Sequence, residues 1–439
     1  MLKKALMLGM ALLLTACGGG GGGGGGSSQS STPVTQTPPT PPPPAANTVA
    51  VTVDGGPAGL SSGPNGYIQD NVPYVSVTLC APGTTNCQTI DHVSVDTGSV
   101  GLRILQSAIS PTLLAALPLQ TDAGGNPVGE CYQFVDGYVF GSVRSADFKI
   151  GGEAVAGMPF QAVADTGVFS TVPSSCSGGG GTNENTLQAL GSNGIIGIGV
   201  TTTDCGTACT VSGGSSSAIY YDCPTTGCSA TITRTPSTVA PFQQAPNPVA
   251  AFATDNNGTI VSLPAAPAGG EASLSGTLIF GIGTQTNNGL GSATVLTTTT
   301  SASPTGAGLI TAVYKGQQLT ESVIDSGTNL YIFNDSSIAA CTGAQFTGYY
   351  CPTAPLSLSA TLQGQNGMSA AAPFTVNNAK TLLTTSFSVL PGIASNPSVF
   401  ANPFPNSFDF GMPFFYGRNI YTAIEGRNAG GTVGPYFAY

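Results

Sequence analysis

The sequence predicts an all-β fold built from two lobes. The chain has 439 residues, which is long enough for two separate hydrophobic cores. Its 62 glycines, 33 prolines and only 7% charged residues are typical of a turn-rich, extracytoplasmic β protein. A short motif centred on one aspartate also occurs once in each half of the chain, as expected if each lobe carries one copy.

The repeated motif is a turn between two apolar strands. The first copy is Val95-Asp96-Thr97-Gly98-Ser99, and the second is Ile324-Asp325-Ser326-Gly327-Thr328. In both copies a β-branched residue precedes the Asp, and a glycine and a hydroxyl residue follow it. One such tripeptide is an ordinary Asp-Gly turn, so each copy taken alone is open to a purely structural interpretation. Two copies with matched flanks, in a chain with only 20 acidic residues, favour a functional pair.

The chemistry of this pair depends on whether the two turns meet. Two carboxyls a few ångströms apart cannot both ionise readily, so they share one proton and titrate together. The ionised carboxyl can then deprotonate a water while the protonated one hydrogen-bonds the carbonyl under attack. Gly98 and Gly327 allow backbone amides to approach the carboxylates, and Ser99 and Thr328 are placed to hydrogen-bond their outer oxygens. The pattern predicts amide hydrolysis that needs no metal or cofactor.

At these residues the chain resembles the pepsin-type, two-lobed aspartic proteases, and also a poorly characterised group of bacterial lipoproteins that carries the same pattern. The resemblance covers most of residues 70–200 and 276–425. It implies a bilobal, pepsin-like double β-barrel with a central cleft for an extended peptide. Asp96 and Asp325 are then the catalytic residues, and Thr97 and Ser326 tie the two loops together. We expect the N-terminal lobe at residues 49–262 and the C-terminal lobe at residues 263–439.

Two further landmarks carry this resemblance. Residues 193–199 and 408–411 resemble the hydrophobic-hydrophobic-Gly segments that cross behind the catalytic loops, although Asp409 interrupts the second apolar pair. The segment from Cys131 to Gly152 resembles the hairpin that closes over the substrate as a flap. Phe134 stands where the family has its flap Tyr, and Tyr132, two residues earlier on the same strand face, can substitute. The chain has no Trp, so the Tyr-Trp flap network of the family is absent.

The N-terminus predicts export and anchoring. Lys3 and Lys4 precede an apolar run from Ala5 to Leu14, and Leu14-Thr15-Ala16-Cys17 follows. This resembles a bacterial lipoprotein signal, which implies a signal peptide at residues 1–16 and lipidation of Cys17. An ordinary signal peptide is the alternative. Gly18 favours the outer membrane, and the Gly- and Pro-rich residues that follow predict a disordered tether over 17–48.

Cysteine usage agrees with an oxidising compartment. Eleven cysteines minus Cys17 leave ten, which we interpret as five disulfides. The close pairs suggest Cys80-Cys87, Cys205-Cys209, Cys223-Cys228 and Cys341-Cys351, which leaves Cys131-Cys176, although other connectivities stay open. A zinc site in the cluster from 205 to 228 is the competing interpretation.

These features predict an aspartic endopeptidase anchored to the outer membrane and facing the periplasm or the exterior. Its partners are an extended peptide or unfolded protein and, through the lipid anchor, a bilayer. Twenty acidic against ten basic residues argue against nucleic acid. The main alternative is an inactive pepsin-like scaffold that binds peptide, protein or glycan. A third possibility is a protease that only processes itself. A Ser-His-Asp hydrolase built on the single His92 lacks the Gly-x-Ser-x-Gly motif.

Overall fold

The computed structural model describes residues 46–60, 69–122, 124–209, 219–228, 244–303, 306–397 and 406–439. The predicted signal peptide, Cys17 and most of the predicted tether lie outside these residues. The first packed side chain is that of Asn47, which is fully buried. Its amide donates to the Phe280 carbonyl at 2.9 Å, so the N-terminal strand is joined to the second half of the chain.

Strands make up most of the described structure, and the helices are short. The strands of the first half are β1 (Thr48–Val53), β2 (Pro73–Cys80), β3 (Cys87–Asp96), β4 (Val100–Leu105), β5 (Val128–Gln133), β6 (Gly137–Ile150), β7 (Glu153–Val163), β8 (Thr182–Asn183), β9 (Gly194–Ile198) and β10 (Tyr220–Asp222). Those of the second half are β11 (Gly258–Ser262), β12 (Leu274–Phe280), β13 (Val295–Thr297), β14 (Ile310–Tyr314), β15 (Gln317–Ile324), β16 (Tyr331–Ile332), β17 (Leu356–Gln363), β18 (Ser369–Val376), β19 (Ala394–Ser395), β20 (Asp409–Phe410), β21 (Asn419–Ala423), β22 (Asn428–Ala429), β23 (Thr432–Val433) and β24 (Tyr436–Ala438). The α-helices are α1 (Pro111–Ala116), α2 (Ser174–Ser177), α3 (Leu187–Leu190) and α4 (Ala379–Leu383), and 3-10 turns lie at Gln106–Ala108, Gly167–Phe169, Gly206–Cys209, Ala344–Phe346 and Met412–Phe414.

The strands form two large sheets. The larger has the order β10-β5-β6-β7-β4-β9-β3-β2-β1-β12-β11-β21-β24-β13, with β8 added on β6, and the smaller has the order β18-β17-β14-β15-β20-β16-β19. These sheets close into one six-stranded barrel and one nearly closed barrel. The predicted all-β, bilobal double barrel is therefore confirmed.

Each barrel follows from the alternation of apolar and polar residues along its strands. In β3, for example, Val93 and Val95 are buried, whereas His92 and Ser94 are half-buried. The core of the smaller sheet is aromatic: the Phe408 ring stacks on Phe410 at 3.9 Å and on Phe333 at 4.5 Å. This aromatic cluster lies directly beneath the second Asp motif.

Both predicted crossing segments pass behind their Asp loops. Strand β9 pairs in parallel with β3, Asp96 lying opposite Gly197, and antiparallel with β4. Strand β20 repeats this arrangement between β15 and β16. A side chain at Gly197 would lie 2.6 Å from the Val100 nitrogen, so only glycine fits where the two backbones cross.

The disulfides are the five predicted pairs: Cys80-Cys87, Cys131-Cys176, Cys205-Cys209, Cys223-Cys228 and Cys341-Cys351. The bond between Cys131 and Cys176 joins the predicted flap strand β5 to helix α2. The four cysteines of the alternative zinc site are all oxidised, so they offer no thiolate to a metal. Within the ranges described above, no helix is long and apolar enough to cross a membrane.

Candidate active site

The two Asp motifs occupy equivalent positions in the two sheets. Asp96 ends β3 and is 7% exposed, and Asp325 follows β15 and is half-buried. The crossing strands hold both loops by backbone hydrogen bonds: the Gly199 amide donates to the Ser99 carbonyl, and the Asp325 amide donates to the Phe410 carbonyl. Backbone hydrogen bonds to the crossing segments therefore hold both Asp loops, independently of their side-chain contacts.

Each carboxylate is held by its own loop. The amides of Gly98 and Ser99 donate to Asp96 Oδ1 at 2.7 and 3.0 Å, and the Ser99 hydroxyl donates to Asp96 Oδ2. In the second loop the Gly327 amide donates to Asp325 Oδ1 at 2.8 Å, and the Thr328 hydroxyl donates to Asp325 Oδ2 at 3.1 Å. Both carboxylates thus receive a backbone amide on one oxygen and a hydroxyl on the other.

The two loops lie face to face. A side chain at Gly98 would lie 2.5 Å from Asp325 Oδ2, and one at Gly327 would lie 2.6 Å from Asp96 Oδ1. Each glycine therefore borders the carboxylate of the opposite loop, and any larger residue would displace it. The structure brings Asp96 and Asp325 together across the junction of the two halves of the chain.

Buried cross-hydrogen bonds lock the loops to each other. The Ser326 amide donates to Thr97 Oγ1 at 2.9 Å, and the Thr97 amide donates to Ser326 Oγ at 3.2 Å. The two hydroxyls also reach the strands on the far side, since Ser326 Oγ donates to the Val95 carbonyl and Thr97 Oγ1 to the Ile324 carbonyl. Thr97 and Ser326 are 3% and 0% exposed, so water cannot replace these bonds.

The electrostatics of the site favour a shared proton. Burial raises the pKa of Asp325 well above its usual value, and the nearby charges of Asp96 and Asp409 raise it further. Hydrogen bonds from Gly327 and Thr328 oppose this rise but do not cancel it. The raised pKa of Asp325 therefore favours a pair that holds one proton between its two carboxyls.

A third carboxyl, that of Asp409, belongs to the same site. Its Oδ2 lies 2.8 Å from Thr328 Oγ1, within hydrogen-bond distance, so one threonine contacts both Asp325 and Asp409. Burial raises the pKa of Asp409 to about 7; the Thr328 hydrogen bond lowers it, and the charge of Asp96 adds to the rise. The sequence pattern shows Asp409 only as an interruption of an apolar pair.

The predicted flap is the hairpin of β5 and β6, which turns through residues 134–136. The Phe134 amide closes this turn by donating to the Gly137 carbonyl at 2.8 Å. Tyr132 lies on β5 and its ring is 5.1 Å from that of Phe134. The two flap candidates therefore sit side by side on one face of the hairpin.

An arginine packs against the predicted flap hairpin. The Arg103 guanidinium lies over the Tyr132 ring, 3.5 Å from its centroid. Arg103 is fully buried and donates to Glu130 Oε1 at 2.7 Å and to Asp204 Oδ2 at 3.3 Å. Burial raises the pKa of Tyr132 to about 12, so its hydroxyl stays protonated; the charge of Arg103 opposes this rise, and nearby carboxylates add to it. Sequence reasoning missed Arg103, although a charged residue inside the apolar run after Asp96 was a visible signal.

The predicted site residues that the structure brings together are Asp96, Thr97, Gly98, Ser99, Asp325, Ser326, Gly327 and Thr328. Tyr132 and Phe134 lie on the flap hairpin, and Cys17 is outside the described residues. Among the residues that the structure describes, no three His, Cys, Asp or Glu side chains are arranged to hold a metal ion.

Fold and site together define a bilobal β protein with a facing carboxyl pair at the junction of its halves. A family model described as "Protein of unknown function (DUF3443)" matches residues 43–439, and the chain belongs to this family. No curated protein sequence matches the chain. A solved structure to which it is similar is the aspartic proteinase from Irpex lacteus, at 15% identity and a TM-score of 0.49, covering 90% of this chain and 96% of that one.

Proposed function

We propose that this protein is an aspartic endopeptidase that hydrolyses peptide bonds with a water activated by Asp96 and Asp325. The observation that carries the proposal is the contact between the two Asp loops. Each glycine borders the opposite carboxylate, and Thr97 and Ser326 each accept a hydrogen bond from the other's backbone amide. Acid-base catalysis at an amide requires such a rigid pair of carboxyls that share one proton.

In the proposed reaction Asp325 carries the proton that the pair shares, and Asp96 acts as the base. Asp96 takes a proton from the attacking water, and Asp325 donates its proton to the carbonyl oxygen of the scissile bond. The tetrahedral gem-diol then collapses: Asp96 gives the proton that it took from water to the leaving nitrogen, and the C–N bond breaks. Asp325 takes back a proton from a hydroxyl of the gem-diol as the new carboxyl group forms, which restores the pair. The amides of Gly98 and Gly327 keep the carboxylates oriented throughout, because they hold one oxygen of each.

The substrate in this proposal is an extended peptide or unfolded protein lying between the Asp loops and the flap hairpin. Tyr132 and Phe134 give the hairpin an aromatic face, and Arg103 fixes the Tyr132 ring.

We also propose that lipidated Cys17 anchors the protein to the outer membrane, which is the basis for a role at the cell envelope. Fractionation of cells that express the chain or its Cys17→Ser variant tests the anchor: release of the variant from the membrane supports it, and equal membrane content contradicts it.

The decisive experiment is hydrolysis of a denatured, fluorescently labelled protein by the full-length chain in detergent, scanned from about pH 3 to 8. We expect cleavage by the wild type and a loss of at least about a thousandfold in both Asp96→Asn and Asp325→Asn, because neither variant can share the proton. The matched control is Asp91→Asn, whose side chain is 67% exposed and should leave the rate unchanged.

The alternative is a scaffold that binds peptide, protein or glycan without cutting. A wild type that stays folded and disulfide-bonded yet cleaves nothing across this range would contradict the endopeptidase and favour the scaffold. For a wild type that cleaves nothing, peptide binding that is unchanged in Asp325→Asn would support the scaffold.

A further inference from the structure

The sequence pattern of the crossing segment predicts an apolar residue at position 409, but the chain has an aspartate there. It lies on β20 between β15 and β16, opposite Val323 and Ile332, and its neighbours Phe408 and Phe410 are fully buried. Because side chains alternate along a strand, Asp409 points away from the aromatic cluster formed by those two rings. This direction brings its carboxyl to the loop that carries Asp325.

The hydrogen bonds at Thr328 require a proton on one of the two carboxyls. The Thr328 hydroxyl lies 3.1 Å from Asp325 Oδ2 and 2.8 Å from Asp409 Oδ2, but it has only one proton to donate. If both carboxyls were ionised, one of these contacts would place two oxygens together with no proton between them. The contacts are both satisfied when one carboxyl donates to Thr328 Oγ1 and the hydroxyl donates to the other.

The second oxygen of Asp409 supports this assignment. Asp409 Oδ1 is buried and has no hydrogen-bond partner among the described residues. A buried carboxylate oxygen without a donor is costly, and the cost is much smaller when the group is neutral. The described part of the chain also contains no ion pair to Asp409 that would favour its charge.

We propose that Asp409 is a third carboxyl of the site, a positioning residue that shares a proton with Asp325 through Thr328 and sets the pH at which the catalytic pair becomes fully ionised. In the neutral form the Asp409 O–H donates to Thr328 Oγ1, and the Thr328 O–H donates to Asp325 Oδ2. This inference rests on the proposed endopeptidase function, because it concerns the carboxyl pair that performs the reaction.

The titratable groups around Asp409 give the direction of the effect. They are Asp325, which follows β15, and Asp96 on the opposite loop; Tyr331 of β16 packs on Phe408 and Phe410, on the other face of the sheet. The pKa of Asp409 is about 7, so its charge develops near neutral pH. This negative charge makes the loss of the Asp325 proton harder, since it is one of the causes that raise the pKa of Asp325. The pair therefore keeps its catalytic proton to higher pH than it would without Asp409.

The test compares the full-length wild type with Asp409→Asn and Asp409→Leu, using the pH dependence of kcat/KM on a fluorogenic peptide. The Asn variant keeps the hydrogen-bonding shape, and the Leu variant restores the apolar pattern of the strand, so that one of them should fold. We expect the alkaline limb to move to lower pH by on the order of one unit in both variants. The control Asp91→Asn should leave the limb in place. A purely structural role would lower kcat/KM without moving the limb.

A second readout does not depend on activity. In protein labelled with carbon-13 at the Asp carboxyl, we expect the resonances of Asp70 and Asp409 to titrate near pH 7, and only the Asp409 resonance to be missing from Asp409→Asn. If the wild type cleaves and the alkaline limb is unmoved in both variants, the inference fails while the endopeptidase stands. If the wild type does not cleave, the endopeptidase proposal fails, and the Asp409 resonance alone tests the shared proton. A resonance that titrates near pH 7 supports the shared proton, and the absence of one overturns it.

Discussion

At the scale of single residues, the loops owe their rigidity to hydroxyls with buried partners. Thr97 and Ser326 each accept a bond from the other loop's amide and donate to a strand carbonyl of the other half of the chain. Each residue therefore satisfies two backbone groups that water cannot reach. The small size of Thr and Ser matters, because a longer side chain would not fit between loops that approach this closely.

We expect Thr97→Val and Ser326→Ala each to lower the free energy of unfolding by about 1–3 kcal/mol. Each change leaves a buried amide without its acceptor, whereas the volume of the side chain is nearly kept. Urea denaturation of the two single variants and the double variant measures this, and the double-mutant cycle should give a coupling of at least about 0.5 kcal/mol.

The control for this cycle is Thr89→Val. Thr89 is exposed and its hydroxyl bonds to Thr78 at 2.8 Å, so water can replace that bond. The expected change is below about 0.5 kcal/mol. Strict additivity of Thr97→Val and Ser326→Ala would show that the cross-bonds do not act as one unit.

At the scale of elements, the flap hairpin depends on a charged cluster beneath it. Arg103 of β4, Glu130 of β5 and Asp204 are buried together, and Tyr220 donates to Asp204 at 2.8 Å. With one cation for two carboxyls, the cluster would carry a net negative charge if both were ionised. Burial and the charge of Glu130 raise the pKa of Asp204 well above its usual value. The Tyr132 ring lies on the Arg103 guanidinium and so connects the hairpin to β4.

We expect Tyr132→Leu to loosen the hairpin and Tyr132→Phe to leave it intact. Phenylalanine keeps an aromatic face over the Arg103 guanidinium, whereas leucine removes the cation-π contact, which is worth about 2 kcal/mol when desolvated. Hydrogen exchange over residues 128–150 should therefore speed up by at least about tenfold in the Leu variant alone. Equal exchange in the two variants would mean that the Arg103 contact does not hold the flap.

At the scale of the whole molecule, the raised carboxyl pKa values predict a protein that is most stable in mild acid. Burial raises the pKa of Asp70 to about 7 and, together with the charge of Asp136, that of Glu184 to about 8, while Asp409 lies at about 7. Burial opposes the ionisation of Asp335, but hydrogen bonds from Lys315, Ser337 and Tyr314 outweigh it and lower that pKa to about 2. The two kinds of group act on stability in opposite pH ranges.

The sign follows from proton counting. Between about pH 4 and 8 the folded protein holds protons on the raised carboxyls that the unfolded chain has lost, so the free energy of unfolding falls as the pH rises. Below about pH 4 the stabilisation from ionised Asp335 is lost as the pH falls towards 2. We therefore expect the thermal midpoint to peak near pH 4–5 and to decline steadily to pH 8.

Thermal unfolding of the disulfide-bonded protein at several pH values measures this dependence. Glu184→Gln should flatten the decline above about pH 5, because it removes one of the protons that the folded state retains. A midpoint that rises from about pH 5 to 8 would show that these carboxyls are ionised in the folded protein.

The sequence by itself determined the features that depend on nearby residues. The alternation in β3 and its neighbours specifies strands, the two Asp-Thr/Ser-Gly turns specify loops that hold a carboxylate, and four of the five disulfides join cysteines at most ten residues apart. Such features are decided by local geometry, which a repeated motif displays directly. The lipid anchor at Cys17 rests on the sequence alone and stays a prediction.

The tertiary structure decided which distant residues meet. Only the closing of the two barrels places Gly98 against Asp325, Arg103 beneath Tyr132 and Asp409 beside Thr328. In the sequence Asp409 only interrupts an apolar pair. Its role depends on a hydrogen bond to Thr328, which lies eighty-one residues earlier in the chain. Burial and proton sharing arise from such long-range contacts, and for this reason the third carboxyl of the site became visible only in the folded chain.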